Sequence, residues 1–102
     1  MQIRAKTNND TLYVSLEGEL DEHTASYAKN EMDLLFSDNV AKQVILDLKK
    51  LDFMDSTGIG VLLGRYKKMK DKNIPIFILN PSSHIDKILN MTAIYQIMPK
   101  LN

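Results

Sequence analysis

The chain has 102 residues, 44% of them hydrophobic and 25% charged, which suits one soluble globular domain over residues 1–102 and not two. Thirteen Lys and Arg balance thirteen Asp and Glu, so there is no cationic surplus to bind nucleic acid. The absence of cysteine excludes disulfides, thiolate catalysis and cysteine-held metal.

The opening Met1-Gln2-Ile3-Arg4-Ala5-Lys6 lacks the apolar core of a signal peptide. No apolar run is long enough to cross a bilayer. A cytoplasmic protein without a membrane partner is expected.

Ile3 and Ala5, then Leu12, Val14 and Leu16, alternate around the turn formers Asn8, Asn9 and Asp10. This predicts a β-hairpin with one buried face. After Gly18 the period changes. Ala25, Ala28, Met32, Leu35 and Phe36 recur at helical spacing, predicting a first helix from about Glu22 to Ser37. Gln43 to Leu48 is a short, apolar, β-branched run and reads as a buried strand. The loop Leu51–Asp55 leads into a second helix from about Ser56 to Lys72, with Ile59, Leu62, Leu63, Tyr66 and Met69 inward.

Ile74 to Leu79 is nearly all apolar, as in a central strand covered on both faces. Asn80-Pro81-Ser82-Ser83 opens a third helix that buries Ile85, Ile88 and Leu89, and Ile94 to Met98 reads as the last strand. The order β-β-α-β-α-β-α-β implies a single α/β domain with a mixed sheet of four to five strands. Functional loops of such sheets lie beyond the carboxyl ends of the parallel strands, which puts Ser56 at that edge.

Ser56 precedes the apolar period of the second helix, where serine is a favoured N-cap. A helix N-terminus also tolerates a phosphate, because free N–H groups and the dipole favour negative charge there. Both readings of Ser56 stay open. Three of the four glycines, Gly58, Gly60 and Gly64, fall in this helix, each at a cost of about 1 kcal/mol relative to alanine. Projection puts Gly60, Val61, Gly64 and Lys68 on an exposed strip where a partner's backbone could approach. The alternative is close packing of the helix on the sheet.

Asp21 is read either as the N-cap of the first helix or as a carboxylate near Ser56. Asp55 is read as a solvated loop carboxylate at the same edge. Arg65, Lys67, Lys68, Lys70 and Lys72 read as the solvated face and carboxyl end of a helix, where cations suit the dipole.

Enzyme readings fare poorly. His23 and His84 have no metal-binding spacing. Asp55-Ser56-Thr57-Gly58 is not a Gly-x-Ser-x-Gly elbow, and Gly58-x-Gly60 completes no phosphate-binding motif. A triad of Ser56, Asp55 and either histidine has nothing to fix its geometry. No catalytic residue, metal or cofactor is expected.

Two stretches carry a resemblance to a known family. They are Gly18-Glu19-Leu20-Asp21-Glu22-His23-Thr24-Ala25 and the segment Phe53-Met54-Asp55-Ser56-Thr57-Gly58-Ile59-Gly60-Val61-Leu62-Leu63-Gly64-Arg65-Tyr66-Lys67. The chain resembles the anti-sigma factor antagonists of the STAS domain family, and its Leu63–Lys67 end is more similar to the sporulation branch than to the general stress branch. The resemblance implies partner switching. The unphosphorylated protein binds an anti-sigma factor that is also a serine kinase, and so releases a sigma factor. The kinase supplies ATP and phosphorylates Ser56, and a phosphatase resets the cycle.

The same resemblance implies a partner contact at Asp21; Asp55, Thr57, Gly58, Gly60, Val61 and Gly64, beside Ser56 and along the projected strip, are the other expected partner contacts. A rival STAS reading is a ligand- or nucleotide-binding sensor or scaffold in which Ser56 is only a cap. Two departures from the family stand out: the sequence ends at Asn102 where relatives usually continue into another helix, and Ala93 stands where the family often has glycine.

Overall fold

The computed structural model describes residues 1–38 and 41–101; Asn102 lies outside the described residues. The opening alternation forms the expected hairpin. Strands β1 (Gln2–Asn8) and β2 (Thr11–Leu20) pair antiparallel, with Asn8 opposite Thr11. Asn9 and Asp10 make the two-residue turn at φ of 50° and 66°. That left-handed conformation suits the right-handed twist of a hairpin, and Asn and Asp tolerate it.

The chain continues through α1 (Ala25–Asp38), β3 (Gln43–Asp47), β4 (Leu51–Met54), α2 (Ser56–Lys70), β5 (Ile76–Leu79) and α3 (Ser83–Met91). A single 3-10 turn at Ile94–Gln96 and the short β6 (Lys100–Leu101) complete it. The six-stranded mixed sheet runs β1-β2-β3-β5-β6, with β4 pairing the far end of β2. All pairings except the hairpin are parallel.

The architecture is the expected α/β one, with three local differences. Residues 51–54 form a strand rather than a loop, because β2 runs past the end of β3 and offers Gly18–Leu20 as a free edge. Ile94–Met98 is not a strand: Ile94 and Met98 are both buried and four apart, and the Met98 N–H bonds the Ile94 carbonyl at 2.8 Å. That is helical spacing, so the last strand is displaced to Lys100–Leu101. The first helix begins at Ala25, because residues 21–24 close a separate turn.

The core gathers Leu12, Val14 and Leu16 of β2, Val44 and Leu46 of β3, and Ile76 and Ile78 of β5. Ala28, Met32 and Phe36 of α1 and Ile59, Leu62 and Met69 of α2 belong to it. Phe77 and Leu79 stay partly exposed, so β5 is not covered on both faces as its apolar run predicts. The basic stretch also divides. Lys67, Lys68, Lys70 and Lys72 are exposed, but Arg65 is 3% exposed and sits 2.9 Å from Asp33 of α1. Their N–H does not align along a hydrogen bond, so the contact is an ion pair. Lys68 joins Asp33 at 3.0 Å. Among the described residues no helix is long and apolar enough to cross a membrane.

Candidate functional site

The site forms where β2 and β4 end side by side, Leu20 opposite Met54, and their chains turn away into helices. Two turns with different capping devices result.

At the end of β2, Asp21 Oδ1 accepts the N–H groups of His23 at 2.9 Å and Thr24 at 3.2 Å. Thr24 Oγ1 accepts the Asp21 N–H at 3.0 Å and donates to the Glu19 carbonyl at 2.8 Å. The turn is therefore tied from both ends. Partial desolvation pushes the Asp21 carboxyl up, but the His23 and Thr24 N–H groups, with the His23 charge and the Thr24 hydroxyl, together hold it below the usual carboxylate value. Asp21 caps this turn, one turn ahead of α1.

At the end of β4, Asp55 is the N-cap of α2, with extended backbone at φ −109° and ψ −173°. Its Oδ1 accepts the Gly58 N–H at 2.9 Å and its Oδ2 accepts the Glu22 N–H at 3.2 Å. Asp55 is thus no solvated carboxylate: it closes the start of α2 and ties it to the Asp21 turn. Ser56, read from sequence as a possible cap, is the first helical residue instead. Asp and Ser are both strong N-cap formers and stand adjacent, so sequence alone could not choose between them. With Asp55 in place the Ser56 side chain is exposed and has no capping task. The first N–H groups of a helix lack intrahelical partners; Asp55 takes that of Gly58 and leaves those of Ser56 and Thr57 outside the ladder.

The three helical glycines separate into two kinds. A Cβ on Gly58 would collide with the Leu20 carbonyl oxygen and crowd Met54, so this glycine lets α2 approach the β2 end. A Cβ on Gly60 or Gly64 would meet nothing within 4 Å. Thr57 and Gly60 are exposed and Gly64 is half-buried. Val61 is 8% exposed and leaves the strip. The inward arc of α2 runs through Gly58, Ile59, Val61, Leu62, Arg65 and Met69, and so takes in Val61.

His23 and His84 are exposed on the surface. Among the described residues, no three His, Asp or Glu side chains gather as metal ligands. A cavity of about 360 Å³ lies over the sheet, lined by Lys6, Tyr13, Ser15, Asp47 and Leu79 among others, and shares no residue with the α2 N-terminus. Phe53, part of the expected loop and given no role from sequence, is exposed in β4 beside this edge.

Residues 2–102 match the family model described as the STAS domain. The anti-sigma F factor antagonist of Paenibacillus polymyxa is 35% identical over 99 residues, covering 97% of this chain and 85% of the relative. The anti-sigma-B factor antagonist of Staphylococcus aureus is 27% identical over 93 residues, covering 90% of this chain and 85% of the relative. Among solved structures, the anti-sigma factor antagonist SpoIIAA of Bacillus shares the fold. Its unphosphorylated form superposes with a TM-score of 0.81 at 24% identity, covering 99% of this chain and 89% of that one. Its phosphorylated form gives 0.73 at the same identity, covering 99% and 92%.

Proposed function

The chain belongs to the STAS domain family, in its anti-sigma factor antagonist branch, and on that premise we propose that it is a partner switch thrown at Ser56. The unphosphorylated chain binds an anti-sigma factor that is also a serine kinase and displaces a sigma factor from it. The Ser56 hydroxyl then attacks the γ-phosphorus of the kinase's ATP. The bond to ADP breaks, and a base on the kinase takes the hydroxyl proton. The phosphorylated chain leaves, and a serine phosphatase resets it. Every partner is cytoplasmic in this scheme, and the only nucleotide is the kinase's own.

The observation that carries the reading is the division of labour between Asp55 and Ser56. Asp55 caps α2, so the exposed Ser56 hydroxyl can accept a phosphoryl group without cost to the helix end. The added charge, about −1.5 to −2, would sit at the positive end of the helix dipole. The fold is therefore kept while the surface gains further negative charge locally. Asp21, Asp55, Thr57, Gly60 and Gly64 border the same surface and are the proposed partner contacts. A SpoIIAA structure solved in a phosphorylated form supports such a modification within this fold.

The test is phosphotransfer from purified candidate anti-sigma kinases of the same genome. Label should appear on Ser56 and vanish in Ser56→Ala, and Ser56→Asp should bind the kinase more weakly than wild type. Label mapped to Thr57 would falsify the assignment.

A further inference from the structure

Phe53 is a core-type side chain held on the outside. It is 42% exposed, although Leu51 and Met54 at the two ends of the same strand are buried. Alternation along a strand sends residues i and i+2 to one face. A regular β4 with Leu51 inward would therefore turn Phe53 inward as well.

The ladder prevents this. β2 advances one residue, from Gly18 to Glu19, while β4 advances two, from Leu51 to Phe53. Asp52 is the extra residue of a β-bulge, a device that re-aims the side chains after it. Beyond the bulge Met54 takes the inward place opposite Leu20, and Phe53 stands outward opposite Glu19. Gly18, at a φ of 105°, supplies the backbone that this irregular pairing needs.

We propose that Phe53 is an apolar anchor for the protein that phosphorylates Ser56, seated in an apolar pocket of that partner with a cationic rim. The inference rests on the reading of Ser56 as the switch. Phe53 lies three residues before Ser56, on the strand that delivers it. The surroundings fix the partner's charge. Glu19 stands opposite the ring and Asp52 precedes it, while Asp21, Glu22 and Asp55 belong to the adjoining turns. Neither segment 19–25 nor segment 51–64 contains a lysine or arginine. An exposed aromatic flanked by Glu19 and Asp52 complements an apolar pocket edged by Lys or Arg. Buried aromatics of this kind carry a large share of interface energy, and the surrounding charges steer the encounter.

The experiment titrates the purified cognate anti-sigma factor with wild type, Phe53→Ala and Phe53→Thr, and follows Ser56 phosphorylation in parallel. Threonine keeps strand propensity if alanine loosens β4. Both variants should keep the wild-type circular dichroism, lose about tenfold or more in affinity, and show the loss in KM rather than kcat. Wild-type affinity should fall with added salt. Variants that bind within about twofold of wild type, while wild type binds and is phosphorylated, overturn the anchor and leave the switch intact. If wild type neither binds nor accepts phosphate on Ser56, the switch reading fails and the anchor fails with it.

Discussion

Asp55 holds the backbone of Glu22, 33 residues away in sequence, by a hydrogen bond of 3.2 Å from the Glu22 N–H, while its second oxygen caps α2. One carboxylate thus fixes both turns at the edge where Ser56 stands. Asp55→Ala should destabilise the free chain by about 1–2 kcal/mol, the worth of a strong N-cap. Ser56→Ala should change stability by less than about 0.5 kcal/mol, as an exposed residue without a capping task. Denaturant midpoints of the two variants measure the contrast. A larger loss in Ser56→Ala would return the cap to serine.

The helical glycines should respond with opposite signs. Gly58→Ala drives a methyl into the Leu20 carbonyl, which is backbone and cannot step aside, so a loss of at least about 2–3 kcal/mol is expected. Gly60→Ala and Gly64→Ala enter open space in regular helix and should each stabilise by up to about 1 kcal/mol. If both positions form the proposed strip, kinase affinity falls as stability rises. A stabilised Gly64→Ala with unchanged affinity would take Gly64 off the docking surface.

Asp21 gives the fold an acid sensitivity whose sign follows from its lowered pKa. Its stabilising contribution is complete above the unfolded value of about 4 and is lost as pH falls through the lower folded value. Asp21→Asn keeps an acceptor oxygen but cannot titrate, so its thermal midpoint should fall less steeply than that of wild type over this range. Identical acid slopes for the two proteins would show that Asp21 takes up no extra proton on unfolding.

Ala93 offers the simplest stabilising change. It adopts φ 58° and ψ 20°, the left-handed region where a Cβ costs roughly 1–2 kcal/mol. Ala93→Gly removes that cost but frees the unfolded chain, so a net gain of up to about 1 kcal/mol is expected from chemical denaturation. A destabilised variant would show that the Ala93 methyl contributes packing that exceeds its strain.

The hairpin, the three helices and the placement of Ser56 were legible because each rests on local period or turn chemistry. Leu12, Val14 and Leu16 alternate, and Asn9-Asp10 is a turn by its own propensity. Position 93 was legible as a departure but not as a strained residue, since φ depends on how α3 ends. The remaining misses are non-local. β4 exists because β2 outruns β3, and its bulge depends on pairing with Gly18. Arg65 sits in a stretch of cations and is buried only because Asp33 faces it from another helix. Asp55 and Ser56 could not be ranked as caps until Glu22 was seen to need an acceptor.

The Arg65–Asp33 pair also constrains how relatives of this chain can diverge. Replacing Asp33 alone strands a buried guanidinium between α1 and α2, with Lys68 nearby to repel it. Replacing Arg65 alone leaves a hole in the helix interface and a half-buried carboxylate held by Lys68. Removing one partner of such a pair is costly, whereas exchanging both for apolar residues of similar volume is often neutral. Single steps therefore pass through a weakened intermediate, and the two positions are expected to change together across homologues or to stay fixed together. Drift at the exposed Lys67 and Lys70 of the same helix carries no such restriction.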